Sequence, residues 1–193
     1  MNFEILVNKN NLLSKDYKPK LYIVDDNKNN FHNYIDPNLK PELALEIKSY
    51  VDKLLNDAWK SGMFIIVDSG YRSYEYQEKV LKSLIEKKGD EAYMLVAIPG
   101  SSEHQTGLAM DIAYMKNGIY SDDVKDSDKE VEWMKKNSYK YGFILRYPKG
   151  KEEITGYDYE PWHYRFVGIN LAKILYDQNI TMEEYYSLKR KKA

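Results

Sequence analysis

The sequence predicts an α+β fold, because helical patterns dominate the first part of the chain and strand patterns come mostly later. Its 193 residues match the size of one domain that can bury a sizeable hydrophobic core. The chain has no cysteine, so this core has no disulfide bonds and the protein has no thiol chemistry. We therefore predict a single domain over 1–193, with an irregular segment at 1–40 and a core at 41–193.

Periodicity and capping residues predict the elements of the first half. An apolar run at 21–24 indicates a short strand, and apolar residues at three- and four-residue steps indicate a helix from Pro41 to about residue 60. The apolar run at 64–67 indicates a buried strand. Ser73 is a typical N-cap, which predicts a helix from there to about residue 88, where Gly89 ends it.

The second half is predicted in the same way. A short helix is expected at 91–97. Strands are expected at 107–114, 143–147 and 160–167. A Ser or Thr followed three residues later by Glu forms a capping box, and this pattern predicts helix starts at Ser127 and Thr181.

Charge and hydropathy exclude several classes of partner. The chain carries 29 Lys and Arg against 30 Asp and Glu, without the basic excess of nucleic-acid-binding domains, so we expect no nucleic-acid partner. It has no run of about 18 apolar residues, so we expect no membrane span. The N-terminus lacks the features of a secretory signal. We therefore expect a cytoplasmic protein, or an extracytoplasmic one if a signal or anchor has been removed.

Histidine and arginine are scarce in this chain. Of the three histidines, His32 lies in a polar irregular stretch, and we expect it to be an ordinary loop residue. Arg accounts for only four of the 29 basic residues. A sequence that uses Lys so strongly is expected to keep Arg for positions where a planar, bidentate donor matters.

The first segment that carries chemistry is 102–113, with the sequence Ser-Glu-His-Gln-Thr-Gly-Leu-Ala-Met-Asp-Ile-Ala. Alternation along a strand puts Leu108, Met110 and Ile112 on the core face. Asp111 is then on the other face among glycine and alanine, which leaves a hollow that a metal and a substrate could occupy. His104 lies seven residues upstream, in the loop that opens the strand.

The second segment is 159–168, Tyr-Glu-Pro-Trp-His-Tyr-Arg-Phe-Val-Gly. The core face is expected to hold Trp162, Tyr164 and Phe166. His163 is then on the opposite face, three residues after Glu160. Two histidines and one aspartate fill three of the four tetrahedral positions of Zn²⁺ and leave one for a water, whose proton a nearby carboxylate can accept. Each residue alone also has a purely structural explanation, and spacing does not decide between the two.

These segments resemble the zinc-dependent D-alanyl-D-alanine carboxypeptidases and dipeptidases of the VanY and VanXY type, which act in bacterial cell-wall metabolism and vancomycin resistance. The family pattern Ser-x-His-x-x-Gly-x-Ala-x-Asp is met in full from Ser102 to Asp111, and Glu-x-x-His is met by Glu160 and His163. Gly-Tyr-Arg-Ser followed by Gln is met at 70–73 and Gln77. The likeness extends over nearly the whole chain.

The resemblance implies a small central antiparallel sheet flanked by helices, as in hedgehog-type and D,D-peptidase domains. It implies that Zn²⁺ is the cofactor and that its ligands are His104, Asp111 and His163. Glu160 would be the general base, and Arg72 would polarise the scissile carbonyl and stabilise the oxyanion. Ser102 and Gln77 would hold the D-Ala end of the peptide, including its carboxylate.

The function implied is removal of the C-terminal D-Ala from peptidoglycan precursor stem peptides by metal-activated water, with D-Ala-D-Ala dipeptidase activity as an extension. One alternative is an L,D-carboxypeptidase acting on tetrapeptide stems. Another is a zinc-bearing binding domain without catalysis, against which the presence of both Glu160 and Arg72 argues. The substrate or partner is then a stem peptide ending in D-Ala.

Three charged residues near the motifs are expected to have other roles. Glu103 could compete with Glu160 as the base, but neighbouring residues usually point apart, so we expect it to face away from the site. Arg146 and Arg165 are expected to be structural partners of carboxylates, with a position behind the metal as the alternative for Arg165.

Overall fold

The computed structural model describes residues 1–24, 40–116 and 118–192. The strands in these ranges are β1 (Leu21–Ile23), β2 (Glu42–Ala44), β3 (Ile65–Ser69), β4 (Ala109–Lys116), β5 (Ile119–Ser121), β6 (Phe143–Leu145) and β7 (His163–Phe166). The helices are α1 (Lys48–Lys60), α2 (Tyr74–Lys88), α3 (Ala92–Leu95), α4 (Lys129–Asn137), α5 (Glu152–Thr155), α6 (Ile169–Gln178) and α7 (Met182–Lys192).

The strands form two antiparallel sheets. The larger sheet has the order β3-β4-β7-β6, with β5 also paired to β4, and the smaller sheet pairs β1 with β2. Because β4 has neighbours on both sides, its backbone is fixed along most of its length. The predicted α+β class with a small antiparallel sheet and helices is confirmed.

Alternating side chains of the sheet enter the main hydrophobic core. Leu108, Met110 and Ile112 are buried there, as the alternation predicts, together with Tyr164 and Phe166 from β7. The buried face of α1 repeats at three- and four-residue steps and packs into the same core, with Val51, Leu54, Leu55 and Ala58. The core therefore lies between the sheet and α1, and the opposite face of β4 is available for a site.

Local capping signals predict two helices well. The Ser73 hydroxyl accepts a hydrogen bond from the Tyr76 N–H at 3.1 Å, and α2 runs from Tyr74 to Lys88. The Thr181 N–H donates to the Glu184 carboxylate at 2.8 Å, and the Glu184 N–H donates to the Thr181 hydroxyl at 3.2 Å. This reciprocal pair is the predicted capping box at the start of α7.

The structure corrects three local predictions. The segment after Pro41 forms β2 before the helix begins at Lys48, because its backbone pairs with β1. Helix α4 has Asp128 as its N-cap rather than Ser127. Trp162 is 37% exposed rather than in the core, because β7 begins one residue later, at His163.

Some features lie outside these predictions. β5 and α6 had not been expected, nor had α5, which lies in what was expected to be a charged loop between two strands. His32 and the rest of 25–39, a part of the segment expected to be irregular, lie outside the described residues. Within the ranges that the structure describes, none of the helices combines the length and the apolar character needed to cross a bilayer.

The backbones of the two sheets approach each other closely at Gly70, just after β3, and a substitution there tests this contact. A Cβ at this position would lie 2.2 Å from the Glu42 carbonyl oxygen of β2. We expect Gly70→Ala to lower the free energy of unfolding by about 3 kcal/mol, because backbone atoms must move apart. Urea unfolding followed by circular dichroism measures this loss.

The control is Gly62→Ala, where a Cβ meets nothing within 4 Å and only the left-handed backbone (φ 75°) is unfavourable. Its expected loss is about 1 kcal/mol. Equal losses in the two variants would contradict the close approach at Gly70.

Candidate metal centre and active site

Sheet register brings the three predicted metal ligands together. Asp111 on β4 is directly opposite His163 on β7 in the antiparallel pairing. His104 comes from the 3₁₀ turn Glu103–Thr106, which ends two residues before β4. One ligand atom from each residue lies within 4.8 Å of the others, so a single ion can contact all three.

The His104 ring is buried and its orientation is fixed. Its Nδ1 is 2.6 Å from the Gly70 carbonyl oxygen, which can only accept, so Nδ1 carries the proton. Nε2 is therefore a lone-pair donor that points toward Asp111, 3.2 Å from Oδ2. This buried atom has no hydrogen-bond partner. A buried nitrogen with a free lone pair and no hydrogen-bond partner is the feature expected of a metal ligand.

His163 lies between two carboxylates. Its Nδ1 is 2.9 Å from Asp111 Oδ1, and its Nε2 is 3.4 Å from Glu103 Oε2. Burial acts against the cation, but the hydrogen bonds to Asp111 and Glu103 prevail and raise the pKa of His163 to about 9. Burial would raise the Asp111 pKa, but the charge of His163 and its hydrogen bond to this carboxylate hold the pKa well below its usual range. The carboxylate is thus ionised, as a metal ligand must be.

The donor set fits a zinc ion. Two imidazole nitrogens and one carboxylate oxygen converge on one point, and three protein ligands are typical of catalytic zinc sites. The unpartnered His104 Nε2 and the ionised Asp111 support the same conclusion. The predicted ligand set is therefore compatible with Zn²⁺ in both chemistry and position.

A cavity of about 910 Å³ opens onto this centre. All the predicted site residues line it, namely Arg72, Gln77, Ser102, His104, Asp111, Glu160 and His163. The backbone N–H of Arg72 donates to the backbone carbonyl oxygen of His104 at 3.2 Å. This bond fixes the Arg72 backbone against the turn that carries His104. The buried Gln77 donates from Nε2 to the Ala97 carbonyl at 2.7 Å, and its Oε1 has no partner.

Glu160 lies in the turn before β7, where its side chain reaches the metal-ligand cluster. The His163 N–H donates to the Glu160 carbonyl oxygen at 3.2 Å, which closes the turn, and Glu160 Oε2 lies 3.8 Å from His163 Nδ1. The side chain is 27% exposed, so it is accessible from the cavity. Burial raises the pKa of this carboxyl above its usual value, which makes it a better proton acceptor.

The expectation that Glu103 faces away from the site is wrong. Its carboxylate is fully buried and lies between His163, Arg146 and Arg165. The two arginines are structural partners of a carboxylate, as expected. Tyr147 was also missed, and its ring stacks on the His163 ring with centroids 4.9 Å apart.

Comparison with known proteins gives the same family. A His-Asp-His centre beside an accessible glutamate and an arginine has the ligands and the proton acceptor that a zinc peptidase requires. The family model for VanY, D-alanyl-D-alanine carboxypeptidase, matches residues 40–169. The chain belongs to this family, and the predicted membership is confirmed.

Several curated relatives are similar over nearly the whole chain. The YodJ protein of Bacillus subtilis is 41% identical over 98% of this chain and 69% of its own length. A D-alanyl-D-alanine carboxypeptidase of Enterococcus faecalis is 36% identical over 96% of this chain and 66% of its own length. VanXYC of Enterococcus gallinarum, a bifunctional D-Ala-D-Ala dipeptidase and carboxypeptidase, is 35% identical over 96% of this chain and 94% of its own length. The chain thus spans about two thirds of the first two relatives.

Solved structures of similar proteins support the fold and the zinc cofactor. The LD-carboxypeptidase LdcB has a TM-score of 0.83 at 40% identity, over 94% of this chain and 84% of its own. A mutant of the D,D-pentapeptidase VanY in complex with Zn(II) has a TM-score of 0.78 at 34% identity, over 96% of this chain and 99% of its own. VanYB in complex with D-Alanine-D-Alanine has a TM-score of 0.77 at 34% identity, over 96% of this chain and 97% of its own.

Removal of a ligand tests the metal centre. We expect His104→Ala to lose bound zinc, because two protein ligands remain where catalytic zinc sites have three. Metal content of dialysed protein, measured by inductively coupled plasma mass spectrometry, is expected to be one zinc per chain for the wild type. His32→Ala is the control and is expected to retain it. Full zinc occupancy in His104→Ala would contradict the assignment.

Proposed function

We propose that this protein is a zinc-dependent D,D-carboxypeptidase that removes the terminal D-Ala from peptidoglycan precursor stem peptides. The observation that carries the proposal is the convergence of the His104–Asp111–His163 cluster with Glu160 and Arg72 in one cavity. Family membership and the names of the relatives support the same substrate class.

Hydrolysis here adds water across the peptide bond between two alanines. When zinc is bound, it supplies a Lewis acid that polarises the carbonyl and acidifies a water molecule. Glu160 accepts a proton from the attacking water and delivers it to the amine of the departing D-Ala, so oxygen bonds to the carbonyl carbon as the C–N bond breaks. Its raised pKa and its access to the cavity suit both transfers.

Arg72 and two polar residues complete the proposed machinery. The Arg72 guanidinium lines the cavity beside the metal ligands, where it is proposed to stabilise the negative charge that develops on the carbonyl oxygen. Ser102 and Gln77 line the same cavity and are proposed to hold the D-Ala end of the substrate.

The second candidate is an L,D-carboxypeptidase acting on tetrapeptide stems. It is favoured by the similarity to LdcB, whose structure has the higher TM-score of those described above. Both reactions would use the same proposed metal, base and oxyanion donor. They differ in the configuration of the residue on the amino side of the broken bond.

Two further predictions remain proposals. The protein is proposed to act in the cytoplasm on precursors. It is also proposed to form a single zinc peptidase domain over 1–193.

Product analysis tests the function. Mass spectrometry of the purified protein with a pentapeptide stem is expected to detect free D-Ala and a tetrapeptide. A chelator is expected to stop this release and added zinc to restore it, because the metal polarises the carbonyl. The dipeptide D-Ala-D-Ala and a tetrapeptide stem are the comparison substrates.

The products separate the alternatives. Cleavage of the dipeptide in addition to the pentapeptide indicates an activity like that named for VanXYC. Cleavage of the tetrapeptide alone supports the L,D-carboxypeptidase. No product from any substrate, in protein that holds zinc, contradicts an enzymatic function and supports a binding domain.

Glu160→Gln tests the proposed base. We expect the rate of D-Ala release to fall by roughly 10²–10⁴-fold, because an amide cannot accept the proton. Zinc content is expected to stay at the wild-type level, since Glu160 is not among the predicted ligands. Glu78→Gln, at an exposed position of α2, is the control and is expected to keep the wild-type rate. A near-normal rate in Glu160→Gln would refute this role.

A further inference from the structure

We infer that Glu103 is a positioning residue for the metal centre, whose buried carboxylate holds the Nε2 proton of His163 so that Nδ1 faces the metal. This inference rests on the proposed function, because it requires a metal bound at the three predicted ligands. It assigns a role to a residue that takes no part in the proposed proton transfers.

The two oxygens of the Glu103 carboxylate contact different partners. Oε1 accepts from Arg146 Nε and from Arg165 Nη1, both at 2.8 Å. Oε2 faces His163 Nε2 at 3.4 Å. Since an ionised carboxylate can only accept, the proton between Glu103 and His163 belongs to the histidine.

The two arginines are themselves anchored, so Glu103 has little freedom to move. Arg146 forms a bidentate pair with Glu183 of α7, at 2.6 and 2.9 Å. Arg165 donates from Nη2 to the carbonyl oxygens of Phe3 and Ile5 near the N-terminus, at 3.2 and 2.8 Å. Segments near both ends of the described chain therefore fix the two arginines. The arginines in turn fix the Glu103 carboxylate that faces His163.

The position of the proton decides which nitrogen can bind metal. A neutral imidazole carries one proton, and only the other nitrogen has a lone pair to donate. In His163, Nδ1 is the nitrogen on the side of the metal-ligand cluster, 2.9 Å from Asp111 Oδ1. A carboxylate behind a metal-bound histidine fixes the ring orientation and increases its basicity as a ligand.

His104 supports this division, because its acceptor is on the opposite ring nitrogen. Its Nδ1 donates to the Gly70 carbonyl, which leaves Nε2 for the metal. The two histidines are therefore expected to bind with different nitrogens, each selected by a different acceptor. Glu103 thus accepts the ring proton of His163, as the Gly70 carbonyl oxygen accepts that of His104.

Glu103→Gln tests the role with little change in shape. The amide oxygen can stay with the two arginines, but its NH₂ group then faces His163 Nε2, so that the ring proton is driven to Nδ1. We expect the dissociation constant for zinc, measured by competition with a chelator of known affinity, to rise roughly 10–100-fold. Circular dichroism of the metal-free variant checks that it is folded.

Glu183→Gln is the matched control. It removes a charge from the same arginine network but leaves the contact between Glu103 and His163 intact. Its dissociation constant for zinc is expected to stay within about twofold of the wild type, because Arg146 and Arg165 still donate to Glu103 and Glu103 still faces His163 Nε2. Equal losses of zinc affinity in the two variants would show a general structural effect and overturn the inference.

A measurement on the wild type does not depend on any variant folding. In zinc-loaded protein labelled with ¹⁵N-histidine, long-range ¹H–¹⁵N spectra report which ring nitrogen carries the proton. Contacts with the Tyr147 ring, which stacks on His163, identify that residue. We expect the proton of His163 on Nε2 and that of His104 on Nδ1. A His163 proton on Nδ1 would overturn the inference.

The outcomes distinguish this inference from the proposed function. Wild-type protein that binds no zinc overturns both. Wild-type protein that binds zinc and releases D-Ala, with an unchanged zinc dissociation constant in E103Q, overturns the role of Glu103 alone.

Discussion

The pairing of β4 with β7 is the constraint on which the site depends. It places Asp111 opposite His163, so two ligands that are far apart in sequence become cross-strand neighbours. Side chains alternate along a strand, so a slip of one residue would send one ligand to the core face. The buried side chains of Met110 and Tyr164, which pair in the same register, oppose such a slip. The hydrophobic pattern that stabilises the sheet thus also aligns two of the predicted metal ligands.

A second constraint comes from the buried charges behind the site. Glu103, Arg146 and Arg165 are almost entirely removed from solvent, which is costly unless each charge is paired and hydrogen-bonded. Glu183 on α7 and the N-terminal carbonyls of Phe3 and Ile5 supply the remaining partners. Residues 3, 5 and 183 thus belong to the hydrogen-bond network behind the three predicted metal ligands.

The features that sequence predicts correctly here are those set by local chemistry. Ser73 and Gly89 delimit α2, because an N-cap hydroxyl and a glycine C-cap act within one helical turn. β2 was missed, because its pairing with β1 depends on a partner that is distant in sequence. The expectation for Trp162 was wrong because strand alternation was applied to a turn. For Glu103 the same rule was applied within a 3₁₀ turn, and its arginine partners lie 43 and 62 residues away.

The two glutamates beside His163 show how environment assigns different roles to one residue type. Burial would raise the Glu103 pKa, but Arg146 and Arg165 hold it well below the usual range, so the group stays ionised and acts as a fixed acceptor. Glu160 has no arginine in hydrogen-bond contact among the described residues, and burial raises its pKa. A carboxyl with a raised pKa and access to the cavity can exchange protons with water, whereas one locked between guanidinium groups cannot. The contacts of both carboxylates therefore support the proposal that Glu160, and not Glu103, is the base.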